Sequence, residues 1–448
     1  MSENKISTEF SFGGLLKYAL PSIVMLMLIS LYTIIDGMFV SRFVGTNALA
    51  AINIVWPALT VLGAIAFMFG SGGSALLGAL LGQKKDALAN NTLSLMAIVL
   101  LSINTMLAIL IYVFTEDLVH LLGGNEDNTL YAIDYLKTYM WFIPPMTVKF
   151  IYESLFITAG KPTLGLTMAI FGGITNVVLD YIFIVPLDMG VKGAALATGI
   201  AFCLPAIVGT IFFFANKKGL HYAKPHAPFW TVGKICTNGS SEMVTNLSGG
   251  ITTLAFNFLM LKFVGTDGVA AITAILYANF LMLALFLGFS MGVAPVISYH
   301  FGAENTAYLK KIKKICFSFT IVASVVIFVA SFLLSTTIAN FFAEKGTHVN
   351  ELIATGMKYF SFSFLFAGIN IFSSGYFTAL SDGKTSALIS FSRTLVFILA
   401  GFALLTSLFG LTGIWLAIPF AEMLTIAMVL IVLIHEKKHP RRFSKDLS

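Results

Sequence analysis

The chain has 448 residues, 58% hydrophobic and only 11% charged, with a formal net charge of +6. Soluble domains carry about 25% charged residues, so a chain this apolar cannot cover itself for water and needs lipid as solvent. Three cysteines (Cys203, Cys236, Cys316), odd in number and far apart, exclude a disulfide framework, and the polar start Met1–Gly14 is not expected to be a signal peptide.

A membrane-crossing helix needs about 20 apolar residues, and twelve such stretches follow in order. In the first half they cover about 18–41 (span 1), 53–80, 93–114, 138–160, 163–186 and 191–215. In the second half they cover about 238–261 (span 7), 270–300, 315–342, 357–380, 385–407 and 411–435. Period-two alternation is absent and lone strands cannot cross lipid, so all are read as helices. The halves also repeat. Phe43-Val44-Gly45-Thr46 returns as Phe263-Val264-Gly265-Thr266, an offset of 220 residues, and Gly190 and Gly193 return as Gly410 and Gly413. Six spans per half is even, so both halves enter the membrane the same way. The expected fold is an all-α integral membrane protein, twelve transmembrane helices in two parallel six-helix pseudo-symmetric lobes, 1–220 and 221–448. Most of the 27 Lys and Arg, including Lys84, Lys85, Lys437, Lys438, Arg441 and Arg442, fall on the side shared by both termini. That bias places both termini in the cytoplasm. It also accounts for the net charge without a nucleic-acid partner.

Spans 2 and 8 carry small residues at spacing four: Gly70, Ser74, Gly78 and Gly82, echoed by Ser290, Ala294, Ser298 and Gly302. One helix face is implied. Tight packing inside one bundle is the reading, ahead of a sliding contact between bundles.

Ionisable groups inside a span are costly and functional by default. Span 1 holds Asp36, six residues before Arg42. Span 5 holds Asp180, eight residues before Asp188, with Asn176 one turn earlier on the same face. In span 6, Thr198 lies six residues beyond Lys192. At about 1.5 Å per residue these groups share one depth, roughly 10 Å below the outer surface. Their repeat partners include Phe256 (for Asp36) and Ala400 (for Asp180), so duplication does not explain the acids. Two neighbouring carboxylates in low dielectric repel, and one is expected to hold a proton. Alternatively Asp36, Asn176, Asp180 and Thr198 supply hard oxygen ligands for Na⁺.

These residues resemble the multidrug and toxic compound extrusion (MATE) transporters over essentially the whole chain. Span 1 carries Pro21 and Asp36-Gly37-Met38-Phe39-Val40; span 5 carries Asn176-Val177-Val178-Leu179-Asp180, followed by Gly193-Ala194-Ala195-Leu196-Ala197-Thr198. The resemblance is to the DinF-like branch. It implies that Asp36, Asn176, Asp180 and Thr198 form a cation site in the first lobe, and that span 1 hinges at Pro21. The second-lobe site of the NorM-like branch is not carried over, because span 10 has no acid and Glu242 of span 7 lies near the start of its helix.

Other charges stay open. Lys149 and Glu153, an i, i+4 pair on span 4, either neutralise each other or line a cavity. Arg393 of span 11 pairs with Glu422 of span 12 or with Glu242, or Glu242 faces the cavity. Phe and Met are read as packing more than as cavity lining. Gly383-Lys384-Thr385 lacks the earlier glycine of a phosphate loop, His435 and His439 read as an interfacial tail, and no nucleophile–base constellation suggests an enzyme.

The expected activity is secondary active multidrug efflux in the plasma (inner) membrane. H⁺ or Na⁺ is exchanged for organic cations or amphipathic toxic compounds by rocker-switch alternating access. No cofactor is expected beyond the coupling ion. The expected partners are small-molecule drugs and the lipid bilayer, and the working unit is a monomer. The alternatives are a lipid-linked oligosaccharide or lipid flippase of the same superfamily and a major-facilitator carrier, whose loop between spans 2 and 3 is only faintly echoed by Gly82-Gln83-Lys84-Lys85-Asp86.

Overall fold

The computed structural model describes residues 5–126 and 128–438; Arg441, Arg442 and His439 lie outside the described residues. Among the described residues there are helices and no strands. The first six spans are Phe12–Phe39, Thr46–Gly82, Asp86–Val113, the pair Thr129–Met140 and Ile143–Thr158, Pro162–Ile184, and Gly190–Ala215. The second six are Trp230–Phe263, Thr266–Gly302, Thr306–Leu333, the pair His348–Ser361 and Phe364–Ala379, Gly383–Phe391 continuing to Phe397–Phe409, and Leu411–Lys438. The 220-residue offset maps span 2 onto span 8 and span 3 onto span 9 without a residue's slip.

Turn chemistry accounts for the repeated motifs. Spans 2 and 8 start at Gly45 (φ +120°) and Gly265 (φ +88°), and spans 6 and 12 at Gly190 (φ +55°) and Gly410 (φ +57°). These angles suit a residue with no Cβ. Ser11 and Asn305 cap spans 1 and 9 by accepting from the amides of Gly14 and Tyr308, satisfying donors that a helix start leaves unpaired.

The structure corrects the expected limits of spans 4, 9 and 10. Span 4 begins at Thr129 rather than near 138 and breaks before Pro144 and Pro145, which supply no N–H and are tolerated in a first helical turn. Span 10 is likewise two helices, bent by 55°. Both begin early because their first halves carry polar residues (Asp134 and Lys137; Asn350 and Glu351) that an apolar count passes over. Span 9 ends at Leu333, and Ser335–Phe342 is a separate short helix. Spans 1 and 11 each contain a π-helical turn, Val40–Val44 and Ser392–Val396.

Spans 1 and 2 of the first lobe pack along spans 8 and 7 of the second. One apolar core, running from Leu15 and Leu76 to Val296 and Phe377, joins both lobes at the end that carries the chain termini. At the opposite end each lobe keeps its own core, around Val55 and Leu136 in one and around Ile275 and Phe360 in the other. The small-residue stripe divides accordingly. Gly70 and Ser74 pack on span 4 within their lobe, but Gly78 and Gly82 face Ser298, Tyr299 and Ala303 of the other lobe. Packing inside one bundle therefore describes half of the stripe, and the other half is a contact between lobes. That contact is pseudo-symmetric. A methyl group on Gly82 would meet the backbone of Tyr299, and one on Gly302 would meet the backbone of Ala79, the repeat partner of Tyr299. Ten residues higher, Gly72 and Gly239 touch backbone to backbone. Only glycine allows this approach, so the seam shuts the termini end of the space between the lobes.

Candidate functional site: an acid pair and a central cavity

Asp36 and Asn176–Asp180 come together because span 1 packs along span 5 and span 5 along span 6. Asp180 is fully buried, Asn176 is buried and Asp36 is half-buried. The two carboxyl groups are close neighbours, within direct electrostatic reach of each other. Apart from that contact, among the described residues no donor reaches Asp36 Oδ1 or either carboxyl oxygen of Asp180. Two carboxyl groups can share such a contact only around a proton or a bound cation. Asn176 Nδ2 donates to Thr198 Oγ1 at 3.3 Å. That leaves Asn176 Oδ1 without a donor, so the carboxyl oxygens and the amide oxygen are all free to act as ligands.

The wall of this pocket includes residues that the reading of the sequence passed over. Tyr135 and Tyr139 of span 4 lie in the electrostatic reach of Asp36, one helical turn apart on one face. Tyr277 comes from span 8 of the other lobe, in reach of Asp36, and its Oη would stand 3.9 Å from a methyl group on Gly37. Tyr32 lies one turn before Asp36. Span 4 was the signal available: Tyr135 falls in the half that the apolar count left out, and Tyr139 at the edge of the part it marked. Span 1 runs as one helix through Pro21, which lies fifteen residues from Asp36, about 22 Å along the helix. The next residues, Ser22 and Ile23, abut Gly288 of span 8.

A small cavity of about 30 Å³ lies beside the pair, walled by Asn176, Thr198, Tyr32, Lys149 and Glu153 among others. A central cavity of about 550 Å³ lies between the lobes. Glu153 belongs to the walls of both. The charged groups lining the central cavity are Glu153, Glu242, Glu422 and Arg393, three acids to one base. Met291 is the single methionine among its lining residues, so most methionines serve packing.

The remaining charges resolve into pairs. Lys149 Nζ lies 2.6 Å from Glu153 Oε1, both side chains buried. Arg393 Nε donates to Glu422 Oε1 at 2.7 Å. Asn370, which the sequence reading missed, donates to Glu422 Oε2 at 2.7 Å and to its backbone oxygen at 2.9 Å. Glu242 therefore does not take Arg393. It feels the guanidinium charge and faces the central cavity.

Comparison with known proteins fits this architecture. The MatE family model matches twice, over residues 21–182 and 243–403, once in each half. A multidrug export protein, MepA, of Staphylococcus saprophyticus is 26% identical over 438 residues, covering 95% of this chain and 94% of that one. Among solved structures, a MATE in complex with MaL6 superposes with a TM-score of 0.91 at 19% identity, covering 98% of this chain and all of the other. A mutant of the Vibrio cholerae MATE transporter VcmN follows at 0.89 and 19% identity, covering 97% and 98%.

Proposed function

The chain belongs to the MatE family of membrane transporters, and we propose that it is a multidrug efflux antiporter of the DinF-like branch. It exchanges H⁺ or Na⁺ for organic cations or other amphipathic compounds. The observation that carries this reading is the contact of Asp36 with Asp180, buried and reached by no other donor on three of its four oxygens. Such a pair binds one positive ion and releases it when the surroundings change.

The seam at Gly82 and Gly302 holds the termini end shut in this state. With both termini in the plasma-membrane cytoplasm, that state faces outward, and the acid pair lies on the outer side where the coupling ion enters. The ion binds Asp36 and Asp180, with Asn176 and Thr198 adding neutral oxygens. Its charge removes the repulsion between the carboxylates and repositions span 1, which bends at Pro21, where the missing N–H makes bending cheap. Ser22 and Ile23 follow Pro21 directly and touch Gly288 of span 8 in the other lobe, so bending there acts on a contact between the lobes. The organic cation occupies the central cavity, whose walls carry more acid than base. The export of multiple drugs by the staphylococcal relative, as its name states, supports the substrate class. One monomer suffices, because the cavity lies within one chain.

The test is drug efflux from proteoliposomes under an imposed pH gradient and an imposed Na⁺ gradient, one at a time. Antiport predicts that at least one gradient drives efflux and that its collapse stops it. Efflux indifferent to both, or translocation of a lipid-linked sugar in their place, overturns the reading.

A further inference from the structure

The Lys149–Glu153 pair is more than a neutralised charge. The Lys149 ammonium lies 2.6 Å from Glu153, 4.4 Å from the ring centre of Phe150 and 5.4 Å from that of Phe202. A carboxylate and two aromatic faces around one positive charge make a recognition site for organic cations. Glu153 and Phe150 line the central cavity, whereas Lys149 and Phe202 line the small cavity behind it. The seat thus opens toward the substrate space, and the lysine enters it from the rear. Burying two charges is costly, and a buried pair seldom stabilises more than apolar residues of equal size; stability does not explain its presence.

The repeat sharpens the point. Helix Ile143–Thr158 maps onto Phe364–Ala379 at an offset of 221, so the partners of Lys149 and Glu153 are Asn370 and Ser374, and the pair is private to the first lobe. The partner of Phe150 is Ile371 and that of Phe202 is Glu422; Asn370 and Glu422 hold each other, and Glu422 holds Arg393, in the second lobe. In each lobe one cation therefore lies against the same pair of spans, 4 and 6 in the first and 10 and 12 in the second. In the second lobe that cation is a guanidinium fixed by hydrogen bonds; in the first it is an ammonium on a flexible stem. That ammonium also lies within electrostatic reach of Tyr32, which lines the small cavity with it and stands one turn from Asp36 on span 1.

We propose that Glu153, Phe150 and Phe202 form an organic-cation subsite of the central cavity, and that Lys149 is its resident, displaceable occupant. Resting on the antiport reading above, the lysine also couples the two sites. Ion-free Asp36 and Asp180 draw the ammonium toward span 1 and vacate the seat for drug. An ion bound between them returns the ammonium to Glu153 and expels the drug. The other charges facing this space are Glu242, Glu422 and Arg393 across the cavity; the last two are paired with each other.

The experiment is equilibrium binding to purified full-length protein of tetraphenylphosphonium, a permanent cation, beside triphenylphosphine oxide, a neutral probe of similar shape. Lys149→Met is expected to tighten binding of the cation about tenfold, and Glu153→Gln to weaken it about tenfold, each with the neutral probe changed less than twofold. Each of these variants leaves one buried charge alone, so Lys149→Met with Glu153→Gln serves as the variant that spares folding. In that background Asp36→Asn should leave cation affinity unchanged, whereas in the native background it should weaken it at least threefold. If both probes respond alike, or if Asp36→Asn acts equally in both backgrounds, the subsite is refuted. Gradient-driven efflux that persists after such a result leaves antiport standing; loss of gradient dependence with the cation preference intact removes the coupling role and leaves the seat.

Discussion

A single methyl group placed in the inter-lobe seam should tip this transporter toward the state open at its termini end. On Gly302 it would stand 2.7 Å from the carbonyl carbon of Ala79 and 2.8 Å from its Cα, whereas carbon atoms meet favourably at about 3.5 Å. The carbonyl oxygen of Ala79 stands nearer still, and backbone cannot swing aside as a side chain can, so Gly302→Ala requires spans 2 and 8 to part by more than about 0.8 Å. Overpacking of this kind costs about 1–3 kcal/mol. The open state has no seam and escapes that cost, so the equilibrium between the two states shifts by about 5- to 150-fold. Gly82→Ala, which meets the backbone of Ala303 and Tyr299 at 2.9 Å, should act the same way, and Gly250→Ala, with nothing within 4 Å, should do nothing. The assay is the distribution of distances between spin labels at Lys161 and Lys384, exposed on opposite lobes at the termini end, with the three cysteines replaced. A longer-distance population should grow in both seam variants and not in the control. Well-folded Gly302→Ala and Gly82→Ala with unchanged distances would refute the seam as the gate.

Other outcomes follow from the same geometry. Asp36→Asn and Asp180→Asn should each abolish gradient-driven efflux while the protein still reaches the membrane, checked by transport beside surface quantification. Pro21→Ala should slow turnover more than it weakens drug binding, seen as a fall in transport rate at saturating drug with the binding constant nearly unchanged. Arg393→Met leaves Glu422, one of the best-buried acids, without its counter-charge, and should cost about 3–5 kcal/mol and several degrees of thermal stability. Arg393→Met with Glu422→Gln should recover most of that loss in the same melting experiment.

Much of this architecture could be read from residue order. Apolar length marked the twelve spans, and the 220-residue echo marked two lobes, because turn glycines with positive φ recur at Gly45 and Gly265 and at Gly190 and Gly410. Depth arithmetic placed Asp36, Asn176, Asp180 and Thr198 at one level because helical rise is constant. What escaped was polar or depended on contact. The first halves of spans 4 and 10 were clipped because Asp134, Lys137, Asn350 and Glu351 break an apolar run, and Tyr135 went with them. Hydropathy says nothing of which face of span 2 meets span 8, so the seam at Gly78 and Gly82 was read as packing within a bundle. Asn370 was invisible because an amide carries no charge to announce it. Arg393 has two candidate partners in sequence, Glu422 and Glu242, and only the fold selects Glu422 and adds Asn370.

The claim beneath the whole account is that the carboxyl groups of Asp36 and Asp180 hold one positive ion and surrender it as drug binds. Adding tetraphenylphosphonium to purified protein in weak buffer, with a pH dye and with ²²Na⁺ in parallel samples, measures that surrender directly. The native protein should release about one H⁺ or one Na⁺ per drug bound, and Asp180→Asn should release neither. Full release by Asp180→Asn, at unchanged drug binding, would place the ion elsewhere and contradict the account.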